Sequence, residues 1–216
     1  MIRLDIFSDP ICPWCFIGKK NLDDALVRAP ANTFDIRWHP FQLNPDMPSE
    51  GMDRRAYLED KFGGKEGSVK AYMPVVQHAE NSGLSINFEA IKRTPNTLNA
   101  HRLIHWAEVE GVQTKLVQAL FVAYFEKGRD LGNSDVLVDV ANSVSLDRKT
   151  IERMLKTNAD LKYIKERDAS GRQMGLTGVP AFIVGGKHVV QGAQGPDFWN
   201  RVINDITEQL VQQDIS

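Results

Sequence analysis

Asp9-Pro10-Ile11-Cys12-Pro13-Trp14-Cys15-Phe16-Ile17-Gly18 is the stretch on which the reading of this chain turns. Upstream of it, Ile2, Leu4 and Ile6 alternate with polar neighbours and run into Phe7, the period of a strand that ends at Ser8-Asp9-Pro10. Downstream, Ile17, Leu22, Ala25 and Leu26 share one face of a helix expected from Pro13 to about Val27. Proline suits its first turn, where a missing N–H has no intrahelical partner to lose. Cys12 therefore stands at the mouth of a helix. Unpaired amides and the positive end of the helix dipole favour an anion there, which makes a partly exposed thiol nucleophilic near neutral pH. With two residues between them, Cys15 comes round the first turn within reach of the Cys12 sulfur, so Cys12 is read as the attacking sulfur and Cys15 as the resolving one.

Two cysteines so close together cannot staple a fold of 216 residues. Half of a zinc site is the competing reading of Cys-x-x-Cys, but there is no second pair, and none of the five histidines stands at finger-like spacing, so no metal is expected. Two inert buried cysteines remain a further alternative. The 42% hydrophobic and 25% charged fractions are those of a packed globular protein, and the formal charge of −2 gives no reason to expect nucleic acid or an anionic membrane as partner. No stretch approaches the roughly 20 apolar residues of a spanning helix. The first residues lack the pattern of a secretory signal, so a cytoplasmic location is expected.

Further along, Thr33 to Leu43 reads as a second strand, closed by Asn44-Pro45. The texture then turns helical, over Ser68–Ser82, Thr97–Glu110, Val112–Lys127, Asp135–Val144 and Asp147–Lys156. Leu116 to Phe125 is apolar almost all round and belongs at the centre of a helical lobe. Gly63 to Gly67 reads as a mobile loop. After a helix near Ala159–Arg172, Ala181-Phe182-Ile183-Val184, the two-residue turn Gly185-Gly186 and Lys187–Val190 form a hairpin. A last helix follows, with Trp199, Val202, Ile203, Ile206 and Leu210 on one face. Strand-helix-strand at the start and strand-strand-helix at the end make the helical middle an insertion between two halves of one α/β sheet. The expected division is 1–48 with 157–216 for the sheet domain and 49–156 for the helices.

The cysteine stretch, Phe41-Gln42-Leu43-Asn44-Pro45, Asn96-Thr97 with Ala100-His101-Arg102, and Gly178-Val179-Pro180-Ala181-Phe182 together resemble the DsbA-like FrnE group. That group is similar to the 2-hydroxychromene-2-carboxylate isomerases and the kappa-class glutathione transferases. The resemblance implies a thioredoxin fold (β-α-β … β-β-α) with a large all-helical insertion, and a cis Val179–Pro180 bond facing the cysteines. It also implies a dithiol-disulfide oxidoreductase or isomerase acting on protein or peptide thiols and disulfides. In the isomerase and transferase relatives the position matching Cys12 is typically serine. Cysteine at both Cys12 and Cys15 looks like the redox branch, and a glutathione-dependent isomerase or transferase acting on a small aromatic substrate is the alternative.

No resident cofactor is expected, with glutathione a candidate co-substrate and the assembly a monomer or homodimer. Expected substrate contacts are Pro13, Trp14 as exposed apolar surface, the strand edge offered by Val179, and Gln194, which with Gly192-Ala193 could meet a carboxylate. Asp9 is read as a turn or cap residue, Asn96 and Thr97 as N-cap residues, and His101 and Arg102 as a solvated helix face.

Overall fold

The computed structural model describes the backbone of residues 1–215 and the side chains of residues 1–208. β1 (Ile2–Ser8) feeds α1 (Pro13–Leu26), and β2 (Phe34–Pro40) returns parallel to β1 with Ile6 opposite Trp38. β5 (Ala181–Val184) pairs antiparallel with the other edge of β1, Ile6 facing Phe182, and β6 (His188–Gln191) pairs with β5. The order β2-β1-β5-β6, with α9 (Pro196–Ile215) closing the chain, is the thioredoxin fold. β1 is central and loses exposure from Leu4 onward, as a strand flanked on both edges must.

Between β2 and α8 (Leu161–Gln173) lie β3 (Met52–Asp53), α2 (Arg54–Phe62), α3 (Lys65–Asn81), β4 (Arg93–Thr94), α4 (Leu98–Val109), α5 (Gln113–Phe121), α6 (Ser134–Ser143) and α7 (Arg148–Leu155). The apolar segment expected at the centre is there: Leu116, Leu120, Phe121, Tyr124 and Phe125 are all fully buried. Phe16 of α1 stacks on both Phe121 and Phe125, with centroids 5.2 and 5.6 Å away, so one apolar core runs from the sheet into the helices.

Several expectations need correction. The insertion is not all helical, because β3 and β4 form a two-residue ladder, Met52 opposite Thr94. β2 stops at Pro40 instead of Leu43. The Phe41 N–H still donates to the Ser8 carbonyl at 3.2 Å, and the amides beyond it are captured by carboxylates, Gln42 N–H by Asp168 Oδ1 at 2.6 Å and Leu43 N–H by Asp9 Oδ2 at 2.7 Å. The hairpin loop has three residues, since Val184 pairs with His188. Gly67 belongs to the first turn of α3, where a Cβ would lie 1.8 Å from the Phe62 carbonyl oxygen, so it is a packing glycine and not part of a loop. The helix expected to reach Lys127 widens into a π turn over Val122–Glu126, with Lys127 N–H donating to the Val122 carbonyl. Of the face expected on α9, Trp199, Ile203 and Ile206 are buried, while the side chain of Leu210 lies outside the described residues.

Candidate active site

Asp9 builds the loop that delivers Cys12. Its carbonyl accepts the Cys12 N–H at 2.9 Å and its carboxylate accepts the amides of Ile11 and Leu43 at 3.4 and 2.7 Å, a turn role in line with the sequence reading. Pro13 occupies the first position of α1 and Cys12 is the N-cap, whose carbonyl accepts from the amides of Cys15 and Phe16. The Cys12 thiol donates to the Val179 carbonyl oxygen at 3.5 Å. The Val179–Pro180 peptide is cis, and Pro180 packs on α1 at Gly18, where a Cβ would sit 3.1 Å from the proline Cγ. Cys12, Cys15 and Pro180, distant in sequence, thus meet at one end of the sheet.

Both sulfurs are thiols and both are buried, Cys12 retaining 3% exposure and Cys15 1%. The expectation of a partly exposed Cys12 is corrected by helices α2 and α3, which stand over it. Cys12 nevertheless lines a cavity of about 280 Å³ with Pro13, Trp14 and Val179 on one side and Arg54, Tyr57, Tyr72 and Val75 on the other. Cys15 is absent from that lining and sits behind its partner. Burial pushes the Cys15 thiol pKa well up, and its hydrogen bond and proximity to Cys12 add to the rise. The pair is therefore asymmetric: one sulfur opens on a cavity, and the other holds its proton in the core.

Trp14 is only half-buried, and its ring meets His78 of α3 edge-on at 5.2 Å, so it packs on the insertion instead of standing free. Gln194 does not line the Cys12 cavity: its side-chain amide donates to the Gln191 carbonyl, its backbone amide donates to Gly192, and its own carbonyl accepts from Asn21. The Gly192 amide donates to the Pro180 carbonyl at 2.8 Å, which ties this loop to the cis-proline segment.

His101 and Arg102 are not a solvated face. Arg102 is buried and donates to the carbonyls of Met154, Thr157 and Ala159 and to Asn99, closing the C-terminal end of α7. His101 Nε2 lies 3.8 Å from Asp9 Oδ1 and has no hydrogen-bond partner. Burial of both moves their proton affinities in opposite directions, the His101 pKa down to about 3 and the Asp9 pKa up to about 7, the latter opposed by the hydrogen bonds from Leu43, Ile11 and Thr97. Thr97, expected as a side-chain cap, instead donates to Asp9 at 3.4 Å, while Asn96 Oδ1 accepts the Leu98 amide.

Four cavity residues were invisible to sequence reasoning. Arg54 and Thr94 belong to elements the sequence reading did not detect, Tyr72 lies in a helix expected without any role for that side chain, and Tyr124 reads simply as core. Arg54 Nη1 and Nη2 donate to the hydroxyls of Tyr124 and Tyr72, each at 3.1 Å, and the π turn carries Tyr124 to that position. Among the described residues, no three His, Cys, Asp or Glu side chains are grouped to hold a metal, and no helix is long and apolar enough to cross a membrane.

Compared with known proteins, the chain is 28% identical over 209 residues to the uncharacterized protein YwbO of Bacillus subtilis (strain 168), covering 94% of this chain and 96% of that one. A probable DsbA oxidoreductase, SCO1869 from Streptomyces coelicolor, superposes with a TM-score of 0.85 at 25% identity, covering 96% of this chain and 91% of the other. A 2-hydroxychromene-2-carboxylate isomerase superposes at 0.71 with 16% identity, covering 99% of each chain. The cytosolic disulfide reductase DsbM from Pseudomonas aeruginosa, solved with GSH, superposes at 0.66 with 15% identity, covering 95% of this chain and 99% of that one. The last two likenesses concern the fold. The model of the DSBA-like thioredoxin domain matches residues 3–204, nearly the whole chain, and the protein belongs to that family of thiol-disulfide oxidoreductases.

Proposed function

We propose that the protein exchanges disulfides with small or extended peptide thiols through the Cys12–Cys15 pair, Cys12 attacking and Cys15 resolving. The observation that carries this reading is the asymmetry of the pair. Cys12 caps α1 and faces the cavity, whereas Cys15 is sealed behind it with its pKa pushed up. In the reducing direction the Cys12 thiolate attacks one sulfur of a substrate disulfide. A Cys12–substrate bond forms, the substrate S–S bond breaks, and the leaving thiolate takes the electron pair and then a proton from water. Cys15 next attacks the Cys12 sulfur, its proton passing to the departing substrate sulfur. The second substrate thiol leaves, and the pair ends oxidised by two electrons. The same steps in reverse deliver a disulfide to substrate thiols.

A cavity of about 280 Å³ is at the small end of ligand pockets, which run from roughly 300 Å³ upward, and its walls favour a glutathione-sized thiol or an extended peptide over a folded surface. Val179, whose carbonyl already meets the Cys12 thiol, and Pro13 and Trp14 are the contacts proposed for such a substrate. A location in the cytoplasm accords with the cytosolic disulfide reductase among the structural neighbours.

Insulin reduction and the reshuffling of scrambled ribonuclease test the reading. The wild type should turn over in at least one assay, Cys12→Ser in neither, and Cys15→Ser should accumulate trapped mixed disulfides. A wild type silent in both, yet turning over a small aromatic substrate with glutathione, would replace this function with that of an isomerase or transferase.

A further inference from the structure

Arg54 is a buried cation without a counter-ion. It retains 7% exposure, and among the described residues no carboxylate lies within 4 Å of its guanidinium. Its two partners are the phenol oxygens of Tyr72 and Tyr124, neutral at ordinary pH and held more firmly so by burial, which raises both pKa values. A buried charge normally survives only when paired. The rings of Tyr72 and Tyr124 also lie in cation–π range of the guanidinium, 5.5 and 5.9 Å away, but neither the rings nor the hydroxyls carry a negative charge to neutralise it. The guanidinium stands in the wall of the Cys12 cavity and also in the wall of the adjoining groove, which shares Arg54, Leu58 and Tyr72 with it.

A second, independent observation lies in the same cavity. Thr94 lines it, and the Thr94 hydroxyl is buried with no hydrogen-bond partner. Tyr57 in the same wall has its hydroxyl engaged, accepting from Lys61 Nζ at 2.6 Å and donating to Asn44 Oδ1 at 2.7 Å, so among the described side chains the Thr94 hydroxyl is the free buried neutral donor of the lining. The missing element is an acceptor. A carboxylate satisfies a guanidinium and neighbouring neutral donors together, and an Arg–carboxylate pair in a partly desolvated site is stronger and more directional than one in water.

We propose that Arg54, assisted by the Thr94 hydroxyl, is the specificity-determining anchor for a carboxylate on the thiol or disulfide that reacts at Cys12. The substrate class is then acidic low-molecular-weight thiols and disulfides. This rests on the redox reading of Cys12 but adds to it a selection by charge. A carboxylate at the free C-terminus of a cysteine peptide offers the same chemistry from another source.

The experiment compares the rate of Cys12 mixed-disulfide formation with three small disulfides differing in charge: 3,3′-dithiodipropionate, 2-hydroxyethyl disulfide and cystamine. The wild type should prefer the acidic disulfide over the neutral one by at least tenfold and over the cationic one by more. In Arg54→Gln, which keeps donors for the two phenols, the acidic-to-neutral ratio should fall at least tenfold, and in Thr94→Val two- to fivefold. A wild-type ratio near one, or a ratio unchanged in folded Arg54→Gln, overturns the proposal. Should Arg54→Gln fail to fold, an unchanged ratio in Thr94→Val overturns the assisted site.

Calorimetric titration of the wild type and the two variants with unreactive S-methylglutathione separates the two claims. Binding weakened at least tenfold by Arg54→Gln, in a protein inert to all three disulfides, keeps the anion site and sinks the redox function. Brisk exchange with no charge preference does the opposite. Cysteine peptides compared as free acid and as C-terminal amide identify the source: a preference for the free acid assigns the peptide terminus, and none assigns the small acidic thiol.

Discussion

His101 Nε2 lies 3.8 Å from Asp9 Oδ1, beyond hydrogen-bond distance, with both side chains fully buried, and that burial reverses which of the two groups holds a proton below neutral pH. In the unfolded chain at pH 5 the proton sits on histidine. In the folded protein burial moves it to the carboxyl, with Asp9 at about 7 and His101 at about 3.

That exchange fixes the sign of a pH effect. Between about pH 4 and 6.5 both the folded and the unfolded forms of the pair bind one proton, so the pair contributes no slope to stability. From 6.5 to about 7 the folded form alone keeps the proton, and stability falls as pH rises. In Asp9→Asn the folded form holds no proton on this pair, while unfolded histidine still takes one below 6.5. The variant should then lose about 1.4 kcal/mol per pH unit on acidification from 6.5 to 4, over a range where the wild-type pair is flat. Urea unfolding at pH 4.5, 5.5 and 6.5 measures the difference, and parallel wild-type and variant curves would contradict it.

Gly18 sits where α1 meets Pro180, a Cβ there falling 3.1 Å from the proline Cγ and 3.4 Å from Ala193. Gly18→Ala gains helix propensity worth about 1 kcal/mol and costs about 1–3 kcal/mol in overpacking. A net loss of about 1 kcal/mol in denaturant unfolding is expected. Slower exchange at Cys12 should accompany it, because Val179 and Pro180 are pushed away from the sulfur.

Arg102 satisfies three carbonyls around the end of α7 and the following turn. Arg102→Met removes every one of those donors while keeping the bulk of the chain, and should cost about 3 kcal/mol or more. Arg102→Lys should recover only part, since an ammonium cannot reproduce the planar fork. Thermal unfolding of the two variants reads this directly, and a methionine variant as stable as the wild type would refute it.

Much of this architecture was legible. The period-two run into Ser8, the amphipathic α1 and the hairpin after Pro180 locate the sheet, and the all-round apolar segment from Leu116 locates the helical core, because in each the burial pattern and the residue pattern coincide. α2 was illegible for the same reason inverted: its one buried side chain is Arg54, so it carries no apolar stripe to detect, and the cavity wall it forms went unseen. The burial of Cys12 depends on α2 and α3 arriving from 40 or more residues away, which no local pattern encodes. His101 and Arg102 read as solvated because charged residues usually are. Their burial follows from partners on Asp9 and around α7 that sequence spacing does not bring together.

The asymmetry of the two sulfurs is tested most directly by peptide mapping after brief exposure of the reduced protein, at pH 7, to a substoichiometric small disulfide. The account predicts that, in Cys15→Ser and Cys12→Ser compared side by side, the adduct forms on Cys12 at least a hundredfold faster than on Cys15. Equal labelling of the two, or faster labelling of Cys15, would contradict it.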